Sequence, residues 1–358
     1  MHPYSPLSSE HFWNRFVARK PWRDLSLCPP PKFQLKQSDR IATAGSCFAQ
    51  HISRYLNAAG CGRYLAEQPH PLSLQHGGEG DSYQLFTARY GNIYTARQGL
   101  ELFRQAYGQM AVIDDYALQD GRYYDLMRPN AVPDGFATLA DARADRRHHL
   151  ACVRRMFANA DAFVFTLGLT ESWQHATGGH TYPACPGTAK GEFDPALHRF
   201  HNFSHAEVVA DLEALLASIR AVNPAIRVVL TVSPVPLVAT YTTHNVLVAS
   251  SYSKSLLRAA VGEVEARHDF VQYFPSYEII SHPASFGQYL ESDLRGVAER
   301  GVEHVMSSFI GALLAPAEAP ATETAVTATA AATTAAPADQ TARFLDVECE
   351  EIYNDVPQ

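Results

Sequence analysis

The sequence lacks the features that mark secreted, membrane-spanning and nucleic-acid-binding proteins. Its N-terminal segment has no basic stretch followed by an apolar core, as a secretory signal would. No run of about 18 apolar residues is present, so we expect no membrane span. Lys and Arg total 29 against 37 Asp and Glu, without a basic cluster that could follow a phosphate backbone. We therefore expect no nucleic-acid partner.

Cysteine is scarce and scattered, which limits the possible environments and metal sites. The six cysteines of the 358 residues form no Cys-x-x-Cys pair. This argues against a disulfide framework and against a zinc site, because both need cysteines at characteristic spacings. We therefore predict a cytoplasmic protein without a metal ion.

Most of the chain has the composition of a globular protein, with 46% hydrophobic and 11% aromatic residues. Residues 316–342 are almost wholly Ala, Thr, Pro and Glu, so they are predicted to be a disordered linker. The acidic segment 343–358 regains aromatic residues and is either a docking segment for a protein partner or a solvated tail. Before the linker we distinguish an N-terminal extension (1–37) from the main domain (38–315).

Four short apolar runs, each bounded by turn or polar residues, predict buried strands. Helical patterns lie between them, and this alternation is typical of a parallel sheet covered by helices on both faces. The predicted fold class is therefore α/β. The four runs are residues 40–44, 162–167, 226–232 and 270–274.

Helix signals surround these strands. Apolar residues recur with the helical period over residues 48–59, before Gly60 as a stop signal. Ser204-x-x-Glu207 is a capping-box pattern that opens a second helix, and apolar positions over residues 302–313 predict a last one. Residues 77–150 fit the alternation poorly, and we interpret them as an insertion that walls the site.

Ser46 is the candidate nucleophile. Ligands of open α/β sheets bind beyond the carboxyl ends of the strands, and Gly45-Ser46-Cys47 directly follows the first strand. Ser46 is expected at or next to the N-cap of the following helix, whose free N–H groups can hold a developing oxyanion. The alternatives are that Ser46 is an ordinary helix cap or that Cys47 is the nucleophile.

A serine nucleophile needs a base, and sixteen histidines make that search ambiguous. His244 follows the third predicted strand, whereas His304 lies in the last predicted helix. The cluster formed by His198, His201 and His205 is interpreted as solvated surface. The residues themselves leave His244 and His304 open as alternatives.

Five ordered segments across residues 38–310 resemble one protein family. The most telling contains Gly45-Ser46-Cys47-Phe48-Ala49, and together the five resemble the GSCFA family, a branch of the SGNH (GDSL-like) hydrolase and acyltransferase superfamily. The segments are residues 41–49, 88–95, 166–173, 233–237 and 273–278.

This resemblance implies a three-layer, flavodoxin-like SGNH-type domain with Ser46 as nucleophile. The implied oxyanion hole consists of the N–H groups of Ser46 and Gly91, with Thr170 standing where the superfamily has an asparagine. Thr170 offers one hydroxyl donor where an amide offers two N–H donors, and Asn92 could compensate.

The superfamily's fifth conserved block, Asp-x-x-His, is incomplete here. Asp293 is present, but Gly296 occupies the position of the histidine. His244 or His304 would then be the base, and Asp293 or Glu171 the group that orients it. Glu171 is alternatively a helix cap or a surface carboxylate. Trp173 and Tyr94 are candidate substrate contacts, although Trp173 could instead seal the core.

The expected function is that of a serine esterase or O-acyltransferase that acts on an acylated carbohydrate or a similar hydroxylated substrate. Hydrolysis would need no cofactor, whereas acyl transfer would need a donor such as acyl-CoA. The competing hypothesis is a non-catalytic protein of SGNH shape that holds a glycan or acyl-CoA in cell-surface polysaccharide assembly. A third is a scaffold whose acidic tail recruits a partner.

Overall fold

The computed structural model describes residues 2–61, 64–68 and 82–315. The predicted linker and tail, residues 316–358, lie outside the described residues. The strands are β1 (Ile41–Gly45), β2 (Tyr116–Gln119), β3 (Arg122–Asp125), β4 (Ala162–Leu167), β5 (Glu171–His175), β6 (Thr181–Tyr182), β7 (His198–Asn202), β8 (Arg227–Val232) and β9 (Val271–Phe274). The helices are α1 (Phe48–Ala58), α2 (Ser82–Leu85), α3 (Ala96–Ala106), α4 (Leu139–Asn159), α5 (His205–Val222), α6 (Val246–Arg267), α7 (Ser276–Ser281) and α8 (Glu299–Leu313).

A parallel sheet of four strands, in the order β1-β4-β8-β9, forms the centre of the fold. These are the four strands predicted from the apolar runs, and each observed bound lies within one residue of the prediction. All residues of β1, β4 and β9 are buried. A strand that is buried on both faces is apolar throughout, which is why these strands were legible in the sequence.

Helices cover both faces of this sheet, as predicted. One face packs against α3, α4, α5 and α6 through residues such as Phe157, Leu215 and Val261. The other packs against α1, α7 and α8 through residues such as Ile52 and Phe309. The predicted capping box opens α5, where the Ser204 side chain accepts from the Glu207 N–H and the Glu207 side chain accepts from the Ser204 N–H. The α/β class is confirmed.

The segment from residue 82 to residue 150 is the described part of the predicted insertion. Its helix α3 belongs to the helical layer on the sheet, since Leu100 and Phe103 lie in the main core. Within the segment's described part, Tyr94 contributes to the cleft described below. The interpretation of the segment as an insertion that walls the site stays a prediction.

An antiparallel sheet in the order β6-β5-β7 was not predicted from the sequence. Strand β5 begins only four residues after β4 ends, so this sheet starts at the carboxyl edge of the central sheet. Trp173 on β5 pairs with Tyr182 on β6 and with Phe200 on β7.

Among the described helices, none has the length and hydropathy that a membrane crossing requires.

Candidate active site

A cleft of about 350 Å³ lies at the carboxyl ends of the central strands. It is lined by the residues that follow three neighbouring strands: Ser46 after β1, Gly168 after β4 and Ser233 after β8. This is where open α/β sheets bind their ligands. One wall comes from the antiparallel sheet and the other from the loop over residues 233–241.

Aromatic side chains form much of the cleft. The ring centroid of the half-buried Trp173 lies 5.1 Å from that of Phe193, 5.7 Å from that of Phe200 and 4.9 Å from that of Tyr241. All four residues line the cleft. Such edge-to-face groups are stable and present apolar surface together with polar tips. Trp173 and Tyr94, the predicted substrate contacts, both reach the cleft.

The backbone around Ser46 forms the predicted turn from strand to helix. The Ser46 N–H donates to the Thr166 carbonyl oxygen at 3.0 Å, and the Ser46 carbonyl accepts from the Ala49 N–H at 2.8 Å. Gly45 precedes it with φ +142°, and a Cβ at this position would lie 2.4 Å from the Thr166 carbonyl oxygen. Only glycine fits there. Ser46 directly precedes Cys47, which occupies the N-cap.

The Ser46 hydroxyl is buried but has no hydrogen-bond partner among the described residues. The residue is only 2% exposed. A buried hydroxyl without a partner costs free energy, and such groups in native proteins call for an explanation such as a functional role. Gly168 lies against Ser46, since a Cβ on Gly168 would be 3.2 Å from the Ser46 Cβ. No described imidazole bonds to the Ser46 Oγ.

The predicted bases and the predicted Asp293 orienter lie elsewhere. His244 is exposed and does not line the cleft. His304 hydrogen-bonds through its Nδ1 with the Tyr289 hydroxyl at 2.7 Å, also outside the cleft, and burial lowers its pKa. Asp293 accepts from the N–H groups of Arg295 and Gly296, so it stabilises its own turn. The structure therefore does not assemble the expected triad.

Glu171 lines the cleft, but its carboxylate is engaged by the opposite wall. Its Oε1 accepts from the Thr240 hydroxyl at 2.7 Å and its Oε2 from the Tyr241 N–H at 3.1 Å. No histidine takes part in these bonds. Glu171 therefore fixes the loop that carries Thr240 and Tyr241, and the prediction that it orients a base is not supported by this geometry.

The predicted oxyanion hole is not assembled in this conformation. The Ser46 N–H is used by Thr166, as described above. Thr170 is fully buried outside the cleft, and its N–H donates to the Ser253 Oγ at 2.9 Å. Gly91 adopts φ +68° outside the cleft, and Asn92 lines a separate cavity of about 40 Å³. Of these four residues only Ser46 lines the cleft, and the assignment of the oxyanion hole stays a prediction.

A family model described as the GSCFA family matches residues 40–309. The chain belongs to the GSCFA family. The matched range begins one residue before β1 and ends in α8, so it includes the whole central sheet and every residue that lines the cleft. A comparison with curated proteins finds no match.

Two cationic residues of this GSCFA-family chain were missed by sequence reasoning. Arg295 lines the cleft, and its buried Nε has no hydrogen-bond partner among the described residues. Lys254 on α6 is 4% exposed, and its Nζ donates to the Gly168 carbonyl at 2.5 Å. Burial lowers the pKa of Lys254 to about 7. In the sequence, its spacing from Ser250, Leu257 and Val261 on one helical face was the available signal.

Proposed function

We propose that this GSCFA-family protein is a serine-dependent esterase or O-acyltransferase of the SGNH type, with Ser46 as its nucleophile. The observation that carries the proposal is the position of the Ser46 hydroxyl. It follows β1 at the carboxyl edge of the sheet, is buried without a described partner, and belongs to a residue that lines the cleft. A hydroxyl with no structural bond to lose is free to react with a substrate.

The cleft favours a substrate with a sizeable apolar or ring-shaped part. Pockets that bind small molecules are mostly apolar, with a few polar groups that set orientation. Trp173, Phe193, Phe200 and Tyr241 supply the apolar surface. They suit an acyl chain or the apolar face of a sugar ring, in agreement with an acylated carbohydrate or a similar hydroxylated ester.

The chemistry requires stabilisation of the negative charge that develops on the attacked carbonyl oxygen. Arg295 is the cleft residue suited to this role, because its Nε–H has no described acceptor and a fixed cation strengthens catalysis in a water-poor site. The acyl-Ser46 intermediate would then pass to water or to an acceptor hydroxyl. Hydrolysis needs no cofactor, whereas acyl transfer takes an acyl donor such as acyl-CoA.

A second candidate is ligand binding without turnover. It is favoured by one observation, namely that no described imidazole bonds to the Ser46 Oγ. In that case the aromatic cleft would hold a glycan or an acyl-CoA during cell-surface polysaccharide assembly, and Ser46 would hydrogen-bond to the ligand.

Labelling with a fluorophosphonate separates the two functions. We expect the probe to label the wild-type protein, with the adduct mapped to Ser46 by mass spectrometry of peptides. Ser46→Ala should abolish labelling, whereas Ser218→Ala, which removes a hydroxyl on the distant face of α5, should retain it. A wild-type protein that is not labelled contradicts the enzymatic function. An adduct on Cys47 would move the nucleophile by one residue.

A further inference from the structure

Lys254 is a lysine in an unusual environment. It lies in the first half of α6, on the buried face, and is 4% exposed. Its Nζ donates to the Gly168 carbonyl oxygen, and no carboxylate of the described residues is among the groups that act on it. Lysine is almost never buried without an ionic partner, because desolvation of the ammonium is costly. A structural lysine at this position would be expected to carry a counter-ion.

The position of Lys254 connects it with Ser46. Its hydrogen-bond acceptor, Gly168, is the residue whose added Cβ would meet the Ser46 Cβ at 3.2 Å. The neighbouring Ser253 accepts from the Thr170 N–H, so two successive residues of α6 are bonded to the segment after β4. This double attachment fixes the lysine stem beside the turn that carries the nucleophile.

Two further elements carry groups that act electrostatically on the amine. Cys47 at the start of α1 favours the protonated amine, whereas the Arg295 guanidinium, from the loop before α8, disfavours it. Desolvation is the largest effect and also favours the neutral form. Together they bring the pKa of Lys254 from 10.5 to about 7. An ordinary lysine is almost wholly protonated at neutral pH, but this one is neutral in a large fraction of molecules.

We propose that Lys254 is the general base that activates Ser46, in place of the histidine that the superfamily resemblance leads one to expect. This deepens the proposed function and rests on it. The proton transfer requires a rotation that turns the Ser46 hydroxyl, which has no hydrogen-bond partner among the described residues, towards the Lys254 amine. Ser–Lys pairs are an established alternative to the Ser–His–Asp triad in other folds.

The proposed reaction consumes only the ester and either water or an acceptor alcohol. As the Ser46 Oγ forms a bond to the ester carbonyl carbon, its proton passes to the neutral Nζ of Lys254. When the tetrahedral intermediate collapses, the bond from carbon to the leaving alkoxy oxygen breaks, and the Lys254 ammonium returns the proton to that oxygen. Water or an acceptor hydroxyl then attacks acyl-Ser46, and the same amine takes and returns the proton.

The pH dependence of fluorophosphonate labelling tests this role. We expect the second-order rate constant of the wild type to rise with an inflection near the pKa of the amine, at about pH 7. Lys254→Met should lower the rate constant by about 100-fold or more and abolish the inflection. The matched control is Lys32→Met, because Lys32 also donates to backbone carbonyls but is exposed and outside the cleft.

The experiment distinguishes failure of Lys254 as the base from failure of the proposed function. A wild type that is labelled at Ser46, with Lys254→Met labelled at a similar rate and with the same inflection, overturns Lys254 as base while Ser46 remains the nucleophile. Absence of labelling in the wild type at every pH overturns the proposed function and, with it, the base.

A second measurement tests the proposal even if Lys254→Met does not fold. The chain has only five lysines, so selective ¹³C labelling of lysine gives a simple spectrum. We expect one ¹³Cε resonance, assigned by its loss in Lys254→Arg, to titrate near pH 7. Phosphonylation of Ser46 should shift this midpoint, because the adduct places new oxygens beside the amine. A midpoint that does not move would place the amine out of reach of Ser46 and refute the proposal.

Discussion

Replacement of Lys254 by Met should change the stability of the protein in a pH-dependent way. Burial lowers the pKa of Lys254 from 10.5 to about 7. Between these values the native protein binds fewer protons at this residue than the unfolded chain does, so the free energy of unfolding rises with pH. At pH 7 this unfavourable contribution amounts to about 4 kcal/mol, and by pH 9 it falls to about 2 kcal/mol.

Lys254→Met removes this contribution at every pH. The substitution also leaves the Gly168 carbonyl without its donor, which costs about 1–3 kcal/mol independently of pH. We therefore expect the variant to be more stable than the wild type at pH 7, by about 1–3 kcal/mol. Between about pH 7 and pH 9 this advantage should shrink by about 2 kcal/mol.

Urea unfolding of both proteins at a series of pH values measures this difference. Other titrating groups are common to both chains, so their effects cancel in the difference, which isolates Lys254. Lys32→Met is the control for the replacement of a lysine by methionine at an exposed position. A constant difference between the wild type and Lys254→Met over the whole range would refute the argument that the amine is desolvated.

Two further predictions concern the turn and the loop that shape the cleft. Gly45→Ala should destabilise the fold by about 3 kcal/mol or more in urea unfolding, because its Cβ would collide with the Thr166 backbone. Gly121→Ala, at φ +74° with open space around it, should cost only about 1 kcal/mol, and equal costs would contradict the steric argument. Glu171→Gln should accelerate amide exchange of Tyr241 by about 10-fold, because an amide cannot accept at both of its atoms. Glu192→Gln, on an exposed carboxylate, should leave that exchange unchanged, and unchanged exchange in Glu171→Gln would mean that the carboxylate does not hold the loop.

The central sheet could be predicted from the sequence because its strands are buried on both faces. Continuous apolar runs such as that of β4 have few alternative interpretations when turn residues bound them. The position of Ser46 followed from the same pattern, since a glycine and a serine at the end of a buried strand, followed by a helical period, indicate a turn at the sheet edge. Local sequence and tertiary packing agree in this part of the chain.

The antiparallel sheet could not be predicted from the sequence, because its strands β5 and β7 are not buried on both faces. Strands β5 and β7, with the sequences ESWQH and HRFHN, are largely polar, and their apolar residues Trp173 and Phe200 face a cleft and not the main core. A strand that packs one face on a core shows alternating apolar and polar residues. A strand whose apolar residues line a binding site does not show this pattern. Of the histidines interpreted as solvated surface, His198 and His201 lie on β7, whereas His205 begins α5. His198 is only 5% exposed, so the interpretation is wrong for this residue.

Lys254 was not considered as a base because the search in the sequence was confined to imidazoles. The sequence offers sixteen histidines, and the superfamily resemblance directs attention to one position, which Gly296 occupies. Which side chain reaches a site depends on packing between α6 and the loop after β4, and residue type does not reveal it. Lys254 was recognisable only as a cation on the apolar face of a helix, a conflict between levels of structure that is typical of functional residues.

The charges around Ser46 favour a site that stabilises an anion over one that only holds a neutral ligand. The Arg295 guanidinium disfavours protonation of the Lys254 amine, and no described carboxylate is among the groups that act on that amine. A buried amine beside a guanidinium is costly to protonate unless a negative charge arrives during function. In the proposed mechanism, a tetrahedral oxyanion on Ser46 supplies that charge at the moment when Lys254 has become an ammonium. A neutral glycan would leave the repulsion in place, and its binding would gain nothing from it.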